Sequence, residues 1–146
     1  MTKKHTGDAW MPADEYGRAM PKFSLNLLVR EVERSLPFYK TVLGVTVRYA
    51  DQDFAALNLQ GVDFMLHSHH AYDHHPLFER LKVGGARGTG AELRVMGIDP
   101  DVVEKRAQAA GAKIIQPAMD FPHGWRDVML EDPDGYIWAV RVAIPR

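Results

Sequence analysis

The chain contains no cysteine. That absence removes disulfide scaffolds, thiolate zinc sites, iron–sulfur clusters and cysteine nucleophiles together, and it fits a reducing cytoplasm. No apolar run reaches the roughly 18 residues that a membrane-crossing helix requires. The N-terminal stretch MTKKHTGDAWMP has two lysines but not the apolar core of a secretory signal. A surplus of charge is missing too, since 18 Lys and Arg against 19 Asp and Glu leave a net charge of −1. Such a balance supplies no field to steer nucleic acid or acidic lipid, so neither a nucleic acid nor a membrane is expected as a partner. The glycine-rich LKVGGARGTG (81–90) lacks the strand and helix context of a phosphate loop and reads as a flap. No nucleophile elbow is present.

What remains is an ordinary globular composition, 46% hydrophobic and 25% charged, over 146 residues. A chain of this length buries about two-thirds of its unfolded surface, enough for a core without staples. Residues 1–20 read as a polar arm broken by Gly7, Pro12 and Gly17, in which Trp10 and Met11 are the exceptions able to pack onto the body or a second subunit. Residues 21–146 read as a single domain: a module at 21–68, a connection at 69–90 and a module at 91–146.

The partial alternation of FSLNLLV (23–29) predicts a strand with Leu25, Leu27 and Val29 on the core face. A helix follows over 31–43, with Val32, Leu36, Tyr39 and Leu43 on one stripe and Gly44 as its stop. Strands are predicted at 45–50, 54–59 and 62–68, with Gln60-Gly61 as a tight turn. The order then repeats, with a strand at 91–97, a helix at 100–111, and strands at 112–120, 125–132 and 136–144. Asp132-Pro133-Asp134-Gly135 is a turn in which Pro presets φ and Gly supplies a positive φ. Leu25, Leu27 and Val29 align with Leu93, Val95 and Gly97, and Gly44 aligns with Gly111. Two tandem βαβββ modules, α+β in class, are a firmer inference than either half alone.

Three stretches carry a family resemblance: LLVREVERSLPFYKTVLGVTV (27–47), GVDFMLHS (61–68) and FPHGWRDVMLEDPDGYIWAV (121–140). With them the chain resembles the vicinal-oxygen-chelate superfamily of glyoxalases, extradiol dioxygenases and bleomycin-resistance proteins, and is closest in type to the last. The resemblance implies two modules that form a curved mixed sheet around a cleft. It is specific for fold and poor for function. Catalytic members hold a divalent metal with His and Glu on equivalent strands. The matching positions here are Ser24, Met65, Glu92 and Ala139, of which Glu92 alone is a good ligand. The family metal site is therefore expected to be absent, and no cofactor is expected.

By strand alternation, Asn26, Met65 and His67 face the cleft, as do Glu92 and Arg94, while Tyr49 and Phe54 add apolar surface. Glu92 and Arg94 have two readings: contacts to polar ligand groups, or an internal network with Asp63 and Arg141. An unpaired Glu92, or His67, would be a candidate for acid–base catalysis. Trp125 and Arg126 also have two readings, a stacking surface with a planar cation beside the ligand, or a structural turn with Arg126 paired to Asp127 or Asp132. Trp138 reads as core. His67, His69, His70, His74 and His75 form either a displaced metal site or a solvated polar loop.

The expected function is metal-independent binding of a small molecule, amphipathic or aromatic, by a sequestering protein of the resistance type. The resemblance also implies a homodimer. Bleomycin itself is not implied, because a net charge of −1 draws a cationic drug weakly. The alternative is a lyase, isomerase or dioxygenase of the same superfamily, with a displaced metal site or Glu92 and His67 acid–base chemistry. A third reading is an accessory protein that meets a partner through its arm.

Overall fold

The computed structural model describes residues 3–72 and 74–146, so the first two residues of the arm and Asp73 of the connection lie outside the described residues. The chain divides into two compact units, residues 1–36 with 44–83, and residues 37–43 with 84–146.

In the first unit a short helix, α1 (Ala13–Ala19), precedes β1 (Asn26–Val29), α2 (Val32–Pro37), β2 (Thr46–Ala50), β3 (Phe54–Leu59) and β4 (Val62–Ser68). A turn of 3-10 helix (His69–Tyr72) and α3 (Phe78–Leu81) close it. The sheet order is β1-β4-β3-β2, with β1 parallel to β4 and the other pairs antiparallel. Gln60 and Gly61 turn between β3 and β4 with φ of 50° and 84°, the geometry of a tight hairpin.

The second unit repeats the plan with β5 (Gly88–Met96), α4 (Pro100–Ala110), β6 (Lys113–Phe121), β7 (Trp125–Glu131) and β8 (Tyr136–Ala143), in the order β5-β8-β7-β6. Helix α4 starts where Asp99 Oδ1 accepts the Asp101 N–H at 2.9 Å and Pro100 takes the first position. It stops at Gly111, whose φ is 68°. Two open four-stranded mixed sheets with their helices make the α+β architecture that the repeat predicts. Among the described residues no helix is long and apolar enough to cross a membrane.

Three local details differ from the sequence reading. Residues 1–20 hold a helix, because Gly17 is tolerated within α1 and Pro12 stands just ahead of it. The long helix at 31–43 is two pieces, α2 and a π-helical stretch, Phe38–Leu43. Pro37 has no N–H for an i−4 bond, so the ladder widens there and burial shifts to Ser35, Phe38 and Val42, while Leu36 is half-buried. The glycine-rich stretch is not a free flap at its end. The Arg87 and Gly88 amides donate to Asp134 O and Gly135 O at 2.9 and 3.1 Å, and a Cβ on Gly135 would lie 2.4 Å from Ala86 Cα.

The core of the second unit shows why the Asp-Pro-Asp-Gly turn is rigid. Asp132 Oδ1 accepts the N–H groups of Asp134 and Tyr136 at 2.9 and 2.8 Å, and Oδ2 accepts the buried Tyr39 hydroxyl at 2.5 Å. Trp138 lies edge-on to Tyr39 at 5.7 Å and is 3% exposed, the core position that the alternation predicts.

Candidate ligand-binding site

The first unit holds a cavity of about 690 Å³ between its sheet and the N-terminal arm. That size suits a drug-sized molecule. The arm is latched at one end by Asp53, which sits between β2 and β3 and is 5% exposed. Its carboxylate accepts the Lys4 N–H at 2.9 and 3.0 Å and the His5 N–H at 2.8 Å, and His70 Nε2 lies 2.8 Å from Oδ1. Burial pushes the Asp53 pKa upward, but the two amides and His70 together outweigh it and hold the group below its usual value. Asp51 braces the same turn, its Oδ1 accepting the Asp53 and Phe54 amides at 2.7 and 2.9 Å.

From this latch the arm crosses the sheet and lays down aromatic rings. Trp10 stacks on Tyr49 at 5.3 Å with planes 7° apart. Tyr16, on α1, meets Trp10 edge-on at 5.5 Å and Phe54 edge-on at 5.4 Å. Met11, Met20 and Met65 add deformable walls. The Tyr49 hydroxyl donates to Asp51 Oδ2 at 2.6 Å, and that hydrogen bond, more than burial, raises its pKa to about 12. The Tyr16 hydroxyl is buried without a hydrogen-bond partner among the described residues, and burial raises its pKa.

His67 supplies a nitrogen base to this cavity. Asn26 Oδ1 is an acceptor only, so His67 Nδ1 carries the proton and donates to it at 2.7 Å. The ring tilts against Phe54 at 4.8 Å. Burial among these groups, followed by the positive charge of Lys3, lowers the His67 pKa to about 4, so the imidazole is neutral at pH 7.

Of the sequence candidates, Tyr49, Phe54, Met65 and His67 line the cavity, and Asn26 reaches it through His67. Glu92, Arg94, Trp125 and Arg126 do not. All four belong to the second unit and none lines this cavity. Glu92 and Arg94 are exposed and pair with each other at 3.1 Å, so Glu92 is not the lone carboxylate that a general base in an apolar cleft requires. The other two charges of the expected network have partners within their own units. Asp63 is held by Arg48 at 2.9 Å and Asn58 at 2.8 Å, and Arg141 by Asp127. Arg126 takes the structural reading with different partners, Asp101 at 2.8 Å and Asp120 at 3.0 Å. Trp125 lies 6.0 Å from the Arg141 guanidinium.

The family metal does not fit these residues. Met65 offers a soft thioether where the enzymes have a carboxylate, and Ala139 offers no donor. Among the described residues no group of three or more His, Asp or Glu side chains is arranged to hold a metal ion. Within the histidine run, His70 binds Asp53, His75 Nδ1 accepts the Leu77 amide at 3.1 Å and His69 stands edge-on to Phe78. Sequence reasoning missed Tyr16, Met20 and the Asp53–His70 latch. Tyr16 and Met20 are spaced i, i+4, a signal hidden by the polar residues around them.

Similar folds occur in solved structures: a glyoxalase/bleomycin resistance protein/dioxygenase from Nocardioides (22% identity, 90% of this chain and 92% of that one, TM-score 0.64), a glyoxalase-related enzyme from Fulvimarina pelagi (21%, 84% and 88%, TM-score 0.66), and a glyoxalase/bleomycin resistance protein/dioxygenase family enzyme from Burkholderia phytofirmans PsJN (19%, 83% and 97%, TM-score 0.68). No curated protein matches the sequence. The model of one family matches residues 23–140, which hold both modules, and the chain belongs to that family, the Glyoxalase/Bleomycin resistance protein/Dioxygenase superfamily.

Proposed function

We propose that this protein binds a small amphipathic or aromatic molecule in the cavity under its arm and sequesters it without a metal, in the manner of resistance-type members of the superfamily. The observation that carries the reading is the cavity of about 690 Å³ walled by Trp10, Tyr16, Tyr49, Phe54 and three methionines. Flat rings and polarizable thioethers favour flat apolar guests. The unsuitable donor set at Ser24, Met65, Glu92 and Ala139 supports binding without metal. In this reading the protein acts as a cytoplasmic homodimer. The test is a screen of flat, drug-sized compounds by tryptophan fluorescence and calorimetry. A saturable one-per-chain ligand whose affinity collapses in Trp10→Ala is expected. Failure of every such compound to bind, or binding indifferent to Trp10→Ala, would retire the proposal.

One observation favours a second reading. The neutral, oriented imidazole of His67 is suited to proton transfer, so a lyase or isomerase without a metal is the alternative. Turnover of a bound compound that is lost in His67→Gln with binding retained would establish it.

A further inference from the structure

We propose that residues 3–20 are a hinged lid on this cavity, latched at Asp53, and that guests enter and leave when the latch releases. The inference rests on the cavity being the binding site and names how access to it is controlled.

The arm supplies more than half of the described residues that line the cavity, from Lys3 to Met20. The sheet supplies the floor, with Tyr49, Phe54, Met65 and His67. Cover and floor meet through rings, Trp10 on Tyr49 and Tyr16 against Phe54. A flat guest lying between cover and floor must part such rings, so the two have to separate for it to enter.

The arm is built to separate. It adds no strand to the sheet, whose order is β1-β4-β3-β2, so no ladder of backbone hydrogen bonds ties it down. No described residue of 3–20 is buried, α1 included. A segment with little buried apolar surface opens at a lower free energy than the core. The chain leaves α1 at Met20 in an extended conformation and runs through Pro21, Lys22, Phe23 and Ser24, all exposed. It rejoins the sheet where Leu25 O accepts the Met65 amide at 3.0 Å. The exposed residues between are the hinge.

The latch lies at the other end. The Asp53 carboxylate accepts the Lys4 N–H on both oxygens and the His5 N–H on Oδ2. Such charge-assisted bonds are strong, yet here they converge on one side chain and can be released together. His70 Nε2 lies 2.8 Å from Asp53 Oδ1 on the sheet side, which keeps the carboxylate in place when the arm lets go. The family model matches residues 23–140, so the lid is added to the shared scaffold and is not part of it.

The test uses the full chain, the variant Lys4→Pro and the flat, uncharged fluorophore prodan. Proline removes the amide that bridges both Asp53 oxygens, at a residue that does not line the cavity. Stopped-flow fluorescence should show the association and dissociation rate constants rising by the same factor, about tenfold for one such bond, with Kd changed by less than about twofold. Asp53→Ala, which removes both bonds, should raise both rates further. A fixed wall would lose affinity through dissociation alone. That result, or unchanged rates in both variants, would overturn the lid and leave the cavity reading intact. Hydrogen exchange of the free protein, followed by NMR, judges the lid without a guest. The Lys4 and His5 amides should exchange together and well ahead of those of β3 and β4. Exchange only in step with β3 and β4 would overturn the inference. Absence of prodan binding would count against the cavity reading and leave the exchange result to decide the lid.

Discussion

The two modules share a strand order and differ in what lies on their sheets. In the first, residues of the arm cover the sheet with Trp10 and Tyr16, and a cavity remains beneath. In the second, Glu92, Arg94 and Met96 of β5 are exposed, and the central strands carry the buried Arg141–Asp127 pair. The hydrophobic pattern that sets a topology uses the helix-facing residues of each strand, so it repeats. The alternate residues are free of that constraint, and they line an aromatic cavity in one unit and form ion pairs in the other.

The largest expected effect breaks the comparison outright. Deleting residues 1–20 removes most of the cavity's aromatic cover, and ligand affinity by calorimetry should fall a hundredfold or more (about 3 kcal/mol). Hydrogen exchange in the second unit should stay as it was.

Glycines in matching hairpins come next. A Cβ at Gly135 would lie 2.4 Å from Ala86 Cα with φ at 93°, so Gly135→Ala should cost about 3 kcal/mol by denaturant unfolding. Gly61 has a similar φ of 84° and nothing within 4 Å, so Gly61→Ala should cost only about 1 kcal/mol.

Acid should separate the units in sign. His67 has a folded pKa lowered from 6.5 to about 4 by burial, so it contributes stability above pH 6.5 that is lost as pH falls towards 4. Asp132 is raised above 3.8 by burial, against its hydrogen bond from Tyr39. Its contribution is present below 3.8 and is lost as pH rises through the raised value. Hydrogen exchange followed from pH 7 to 4 should therefore show protection falling around β4, and His67→Phe should abolish that fall.

The smallest effect is at the exposed pair. Arg94→Ala should change stability by less than about 0.5 kcal/mol and leave ligand affinity unchanged. A large loss of binding would bring the second unit's sheet into the site.

Much of the fold was legible because it depends on local chemistry. Strand alternation in VDFMLHS placed Met65 and His67 on one face, and both line the cavity. Pro100, Gly111 and the Asp132–Gly135 turn bounded their elements through backbone preferences that act within a few residues. The π-helical stretch after Pro37 was less legible, since a missing N–H shows in sequence but the direction of the compensation does not. The cavity itself was only half legible. Its sheet side follows from periodicity, but its arm side depends on Asp53 binding two amides 48 and 49 residues away in sequence.

The sequence by itself thus determined two βαβββ modules, their turns, and the lack of a carboxylate at Met65 and Ala139, because residue type and spacing are enough for each. Tertiary structure decided which module carries the candidate site. It decided this through contacts between distant segments: the arm latched at Asp53, Trp10 stacked on Tyr49, Tyr16 against Phe54, and His67 fixed by Asn26. A backbone amide that meets a distant carboxylate leaves no periodic trace in the chain, so only the folded arrangement records it.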